Sequence, residues 1–122
     1  MVKIFLAEDD KSVSRIVTIN LEESGHEISV TASSLSDALA KIEEAKDKGV
    51  KVAVLDGNLG TGPGDGPQIA NLLRQAIPEI KIVSFSGDPV TWGDFNPMKP
   101  KDISNLGNIV TKAVLDIKYI IQ

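Results

Sequence analysis

Three kinds of residue in this sequence have the chemistry to act together. Carboxylates cluster at Glu8-Asp9-Asp10 and recur at Asp56, a hydroxyl stands beside a glycine at Ser86-Gly87, and an ammonium stands beside a proline at Lys99-Pro100. Carboxylates that meet at one point repel unless a hard divalent cation joins them, and Mg²⁺ suits a site of oxygen ligands that keeps some of its waters. Asp9 and Asp56 could each give a ligand, Glu8 could act directly or through water, and a backbone carbonyl near Asn58 could add another. One coordination position then remains for a phosphoryl oxygen. Phosphoryl transfer asks a protein mainly for positioning and charge neutralisation, and Asp56, Mg²⁺, Lys99 and Ser86 supply a nucleophile, a metal, a cation and a hydroxyl donor. Singly, each residue has an ordinary reading. Asp9 or Asp10 can cap a helix, Asp56 can begin a turn, Ser86-Gly87 can open a loop, and Lys99 can be a solvated lysine before a helix. The argument for chemistry is their coincidence at one edge of one sheet.

The elements that would bring them there are short apolar runs: strands at Val2 to Ala7, Glu27 to Thr31, Val50 to Leu55 and Glu79 to Phe85, most of them apolar on both faces. Helices are expected over Ser12 to Ser24, Ser34 to Lys48 and Pro67 to Ile77, punctuated by Gly25, Gly49 and Pro78. Ser34 with Asp37 forms a capping-box-like start, and Asp102 is a candidate cap for a final helix whose stripe runs Ile103, Leu106, Val110, Ala113, Val114, Ile117, Ile120 and Ile121, weakened in the middle by Gly107. Strands buried on both faces that alternate with helices predict a doubly wound α/β fold with a parallel sheet. Ligands of such sheets sit beyond the carboxyl ends of the strands. Every residue named in the opening paragraph follows a strand or precedes the last helix.

With 122 residues and 42% hydrophobic content the chain is expected to be one domain, 1–122, with a single packed core. The lack of cysteine excludes disulfides, thiolate metal sites and a thiol nucleophile. A net charge of -4 and 13 scattered basic residues argue against binding to nucleic acid or to an anionic membrane. The first apolar run is too short for a signal-peptide core or a membrane span, so a cytoplasmic location is expected.

Lys3-Ile-Phe-Leu-Ala-Glu-Asp-Asp10, Val52-Ala-Val-Leu-Asp56, Asp65-Gly66, Ile82-Val-Ser-Phe-Ser-Gly87 and Lys99-Pro100 form an ordered set that spans nearly the whole chain. In this set the sequence resembles the receiver domains of two-component response regulators, of the CheY-like, flavodoxin-like fold. The resemblance implies a five-stranded parallel sheet of order 2-1-3-4-5. It implies Asp56 as phosphoacceptor, Glu8 and Asp9 as the acidic pair, the Asn58 backbone carbonyl as a further Mg²⁺ ligand, Ser86 as switch hydroxyl and Lys99 as the phosphate-contacting lysine. It also implies a histidine kinase or histidine phosphotransfer protein as partner, an unidentified downstream target, a monomer or weak dimer, and no enzymatic turnover beyond the domain's own phosphoryl transfer and dephosphorylation. Asn58 and Asp88 hold the two positions that influence phosphate lifetime in that family, and polar groups there lean towards a short-lived phosphoryl state.

The sequence departs from the pattern after Ser86. Only the twelve residues Gly87 to Met98 precede Lys99, where a helix, a strand and their connections would need roughly 20. The fourth helix is therefore expected to be shortened or missing, with Phe95 to Met98 as a fifth, edge strand that tolerates Pro97. Asn96 occupies the slot of the family's switch aromatic, which leaves Phe95 or Trp92 to substitute. Leu115 and Tyr119 lie opposite the apolar stripe of the last helix, a pair more often incidental than a partner surface. The five glycines of Gly57 to Gly66 do not follow the G-x-G-x-x-G spacing and read as a mobile flap, and His26 reads as an exposed turn histidine. Two rival readings are a receiver-like scaffold that no longer takes phosphate and a phosphohydrolase resembling the haloacid dehalogenase superfamily. The second lacks the acid that Asn58 replaces.

Overall fold

The computed structural model describes residues 2–121, with side chains placed for 2–115. Four strands, β1 (Lys3–Ala7), β2 (Glu27–Ala32), β3 (Val52–Leu55) and β4 (Lys81–Ser84), form one sheet of order β2-β1-β3-β4, and every pairing is parallel. Successive strand residues point to opposite faces, and both faces are covered. Phe5, Ala7, Ala53, Leu55 and Ile82 join the core built with helices α2 (Leu35–Ala40), α3 (Ile42–Asp47) and α4 (Asp65–Ala76). Ile4, Leu6, Val52, Val54 and Val83 join the core built with α1 (Lys11–Glu23) and α5 (Leu106–Ile121). This is the expected doubly wound α/β architecture.

Local chemistry sets the helix ends. Asp10 caps α1, its carboxylate accepting from Ser12 N–H at 2.9 Å and Val13 N–H at 3.1 Å, a device worth about 1 kcal/mol. Ser34 accepts from Asp37 N–H at 3.1 Å while Asp37 reaches back to Ser33 N–H at 3.1 Å, so the capping box closes one residue earlier than its usual form. Gly25 (φ +87°) and Gly49 (φ +74°) follow α1 and α3 in the left-handed region. A 3₁₀ turn (Ile103–Asn105) leads into α5, whose Leu106, Val110 and Ala113 are buried on the expected stripe. The side chains of Ile117, Ile120 and Ile121 lie outside the described residues.

Five expectations change. The helix foreseen over Ser34 to Lys48 pauses at Lys41, whose N–H bonds the Ala38 carbonyl and whose ammonium bonds the Thr31 carbonyl at 2.7 Å. Asp102 stands before the 3₁₀ turn, but its carboxylate accepts from Met98 N–H at 2.8 Å instead of capping. Gly107 lies in the first turn of α5, not its middle, and α5 passes so close to α1 there that any side chain would collide with Ser24. His26 is buried, only 9% exposed, because α5 covers it. Thr111 gives its hydroxyl proton to the Gly107 carbonyl, so the His26 Nε2–H donates to Thr111 Oγ at 3.1 Å and Nδ1 is left without a partner. Burial holds this imidazole below its ordinary pKa.

The fifth change is the edge. Among the described residues the sheet has four strands, and the foreseen fifth is reduced to two isolated parallel bridges, Val83 to Phe95 and Ser86 to Met98. Ser84 N–H bonds the Phe95 carbonyl at 2.9 Å and Lys99 N–H bonds the Ser86 carbonyl at 2.8 Å. A parallel ladder between them needs the N–H of residue 97 for the Ser84 carbonyl, and Pro97 has none. Residues 85–102 contain no helix, which agrees with the expected loss of the fourth crossover helix.

Candidate functional site

The register of β1 on β3 pairs Ala7 with Leu55, and the ladder runs one step further through Asp56 N–H to the Ala7 carbonyl at 2.9 Å. Glu8 is fixed on its other side by its own N–H to the Ala32 carbonyl at 3.0 Å. Glu8 and Asp56 therefore emerge side by side where the chain leaves β1 for one face and β3 for the other, the crevice in which doubly wound sheets bind ligands. Asp9 completes the group. One carboxylate oxygen of each of Glu8, Asp9 and Asp56 lies within 4.8 Å of the others. Asp10, the third acid of the run, is occupied by its cap.

Lys99 reaches this cluster from the far side of the sheet edge. Its Nζ lies 2.5 Å from Glu8 Oε1 and 3.1 Å from Asp56 Oδ2, and 5.6 Å from the centre of the Phe85 ring. The Lys99–Pro100 peptide bond is cis. Glu8 is almost wholly buried, its side chain 2% exposed. Burial pushes its carboxyl up to about 7, helped by the neighbouring Asp56 and opposed by Lys99. For Asp56 burial acts in the same upward direction, but the hydrogen bond with Glu8 and the Lys99 ammonium outweigh it and hold the carboxyl below its usual range. Burial works against the Lys99 charge as well, and the two carboxylates more than offset it.

A cavity of about 600 Å³ opens in front of these groups, bounded by Asp9, Asp56, Asn58, Ser86, Asp88 and Val90. Ser86 Oγ accepts from Asp88 N–H at 3.1 Å, which leaves its proton to donate elsewhere. The structure thus gathers Glu8, Asp9, Asp56, Ser86, Asn58 and Lys99 about one crevice. Three crowded carboxylates faced by a single ammonium form an oxygen donor set that fits a hard divalent cation.

Asp65 carries a role that its place at the start of a helix did not suggest. Its Oδ2 accepts from Leu59, Thr61 and Gly62 N–H at 2.9, 3.0 and 3.2 Å, and its Oδ1 accepts from the Thr61 hydroxyl. The Thr61 hydroxyl foremost, and then these N–H groups, hold its carboxyl below the usual range. One carboxylate therefore ties the glycine-rich loop that borders the cavity. The available signal was an acid three to six residues after a run of otherwise unpaired loop N–H groups.

Trp92 packs beside the crevice, its ring against Gly57 and Gly66, while Phe95 joins the opposite core. Leu115 is 47% exposed, and the side chain of Tyr119 lies outside the described residues.

No protein-family model and no curated protein matches the sequence. Solved structures do match. A CheY-like response regulator receiver domain protein from Methanospirillum hungatei JF-1 superposes with a TM-score of 0.82 at 19% identity, covering 98% of both chains. The N-terminal domain of a response regulator/sensory box/GGDEF three-domain protein from Carboxydothermus hydrogenoformans gives 0.80 at 23% identity, covering 98% of this chain and 99% of that one. The receiver domain of the hybrid histidine kinase CckA gives 0.75 at 23% identity, covering 91% and 97%. The chain has the fold of response regulator receiver domains.

Proposed function

We propose that this chain is a phosphoacceptor receiver domain that takes a phosphoryl group onto Asp56 from the phosphohistidine of a histidine kinase or histidine phosphotransfer protein. The observation that carries the reading is the half-buried Lys99 ammonium between Glu8 and Asp56, at a cavity bounded also by Asp9 and Ser86. In the proposed step an Asp56 carboxylate oxygen attacks phosphorus, the N–P bond breaks, and its electron pair returns to the imidazole of the donor. Lys99 then passes from the Asp56 carboxylate to a phosphoryl oxygen, and the Ser86 hydroxyl donates to another. Asp9 and Asp56, with Glu8 directly or through water and the Asn58 carbonyl, would hold Mg²⁺. That ion would neutralise charge on the phosphoryl oxygens when bound. Asn58 and Asp88 border the cavity, and polar groups there would steer an attacking water, the ground for expecting a short-lived phosphoryl state.

In this reading the domain's chemistry is its own phosphorylation and dephosphorylation. Among the described residues no helix is long and apolar enough to cross a membrane; a cytoplasmic site of action is part of the proposal. Incubation with a small acyl phosphate and Mg²⁺, followed by intact mass, tests the reading. One phosphoryl group is expected on the parent protein and none on Asp56→Asn or in excess chelator. An unmodified parent protein would favour a scaffold that no longer takes phosphate.

A further inference from the structure

Two consecutive peptide units after Asp56 are turned in opposite directions, and each is held by a named partner. The Gly57 carbonyl accepts from Gly66 N–H in the first turn of α4 at 3.0 Å, and the other end of that unit, Asn58 N–H, faces Asp56 Oδ1 at 3.4 Å. The next unit joins Asn58 to Leu59. Its N–H donates to Asp65 Oδ2 at 2.9 Å, and Asp65 is only 3% exposed. Leu59 belongs to the core built with α2, α3 and α4, whereas Asn58 is exposed and lines the cavity before the acidic cluster. In a trans peptide the N–H and the C=O leave the unit on opposite sides. With its N–H turned inward to Asp65, this unit presents the Asn58 carbonyl outward, on the side of the cavity. Among the described residues that carbonyl accepts no hydrogen bond. An amide whose N–H donates to a carboxylate also carries more negative charge on its oxygen.

We infer that Asp65 is a positioning residue for the divalent cation: by holding the Leu59 N–H behind the loop, it aims the Asn58 carbonyl into the acidic crevice. The inference rests on the reading of the site given above and adds what fixes its one backbone ligand. The acidic side chains stand at strand ends, but Asn58 stands in a loop of five glycines, and glycine loses the most conformational freedom on being ordered. Mg²⁺ demands near-octahedral geometry, so a carbonyl free to swing would have to be ordered at the expense of affinity. Asp65 orders it in advance. Its carboxylate does not cap α4, because its bonds to Leu59, Thr61 and Gly62 all run back into the loop. Outer groups that orient a ligand govern metal affinity in this manner.

The test titrates the intact chain with Mg²⁺ and follows the carboxyl carbons of Asp9 and Asp56, the carbonyl carbon of Asn58 and the amide proton of Leu59. In the parent protein these resonances are expected to move with one half-saturation. The Leu59 amide proton should move downfield, because coordination at the oxygen strengthens the hydrogen bond at the nitrogen of the same peptide. Asp65→Ala, checked for folding by thermal melting, is expected to weaken Mg²⁺ binding about tenfold or more and to leave the Asn58 carbonyl carbon still while the Asp9 carboxyl carbon moves. In the metal-free protein the same variant should open the Leu59 and Thr61 amides to exchange. Asp65→Asn keeps an oxygen for the Leu59 N–H and is expected to restore both the affinity and the response of Asn58. An Asn58 carbonyl carbon and a Leu59 amide that stay still in the parent while the carboxyl carbons move would overturn the inference, even should Asp65→Ala fail to fold, and would leave the acidic site intact. A folded Asp65→Ala that binds Mg²⁺ as tightly as the parent would do the same, as would an Asp65→Asn as weak as Asp65→Ala, which would assign the effect to charge. Carboxyl carbons that do not respond to Mg²⁺ in the parent would overturn the reading of the site and the inference together.

Discussion

Glu8 and Asp56 are carried to the crevice by the parallel ladder, each one residue past its strand with its N–H still bonded to a neighbouring strand. Ser86 and Lys99 face them from a region built of different material. There two isolated bridges replace a strand, and side chains do the work of a ladder: Asp94 accepts from Ile82 N–H at 2.7 Å, and Asn96 bonds Gly93 N–H, the Gly93 carbonyl and Ser84 Oγ. Backbone pairing fixes positions independently of side-chain identity, so the acidic half is set by strand register alone. The half that runs from Ser86 to Lys99 hangs on a few named residues. The two halves should therefore respond differently to substitution.

The largest difference is expected for Asp56→Asn against Asp94→Ala. Asp56→Asn removes one of two carboxylates crowded about Lys99 without touching the ladder, so phosphoryl uptake is abolished and the melting temperature is unchanged or raised. Asp94→Ala leaves the Ile82 N–H without its carboxylate and frees Arg74, which meets Asp94 Oδ2 at 3.5 Å, at a cost of about 1–3 kcal/mol. Denaturant unfolding and amide exchange at Ile82 and Phe95 read that loss, and phosphoryl uptake should slow without vanishing. Complete loss of uptake in Asp94→Ala would erase the distinction.

A smaller effect separates the two edges of the sheet by pH. Glu8, at the carboxyl edge, binds its proton more tightly in the folded state, from 4.5 up to about 7. Its contribution to stability is therefore present at low pH and lost as pH rises through that window. Saturating Mg²⁺ should flatten this slope, because a bound cation favours the carboxylate. His26, at the amino edge, binds its proton less tightly when folded than its ordinary 6.5, so its contribution is present above that value and lost as pH falls below it. Melts across pH for Glu8→Gln and His26→Leu should remove the two slopes separately. A parent slope left intact by either variant would contradict the assignment.

The smallest effect concerns the edge itself. Pro97→Ala restores an N–H opposite the Ser84 carbonyl, and the amide at position 97 should then be protected from exchange. The net change in stability is expected within about 1 kcal/mol, since the new bond is set against the greater entropy of the unfolded chain. An unprotected amide there would place the cause of the missing strand elsewhere.

The acidic half was legible in the sequence for the same reason that it is robust. An apolar run buried on both faces must end where polar residues begin, and in a parallel sheet these ends share one edge, so Glu8, Asp9 and Asp56 could be placed before any coordinates. The segment from Ser86 to Lys99 was legible only as a shortage of residues. That Pro97 is tolerable on an edge strand is a sound rule, but it depends on which side the missing N–H faces, and here that side faces β4. His26 was misread because its burial comes from Thr111 and Gly107, 85 and 81 positions away, and local pattern carries no trace of them. Asp65 was seen as a helix start, while its bonds run backwards into the loop.

The central claim is that Asp56 is the atom-accepting end of a phosphoryl transfer, and its most direct measurement is chemical. An acyl phosphate on an aspartate is reduced by borohydride to homoserine, which a peptide map locates. After exposure to a phosphohistidine donor or a small acyl phosphate with Mg²⁺, the account expects homoserine at position 56 and at no other carboxylate. Homoserine at Asp9 or elsewhere, or its absence from a protein shown to be folded and to bind Mg²⁺, would contradict it.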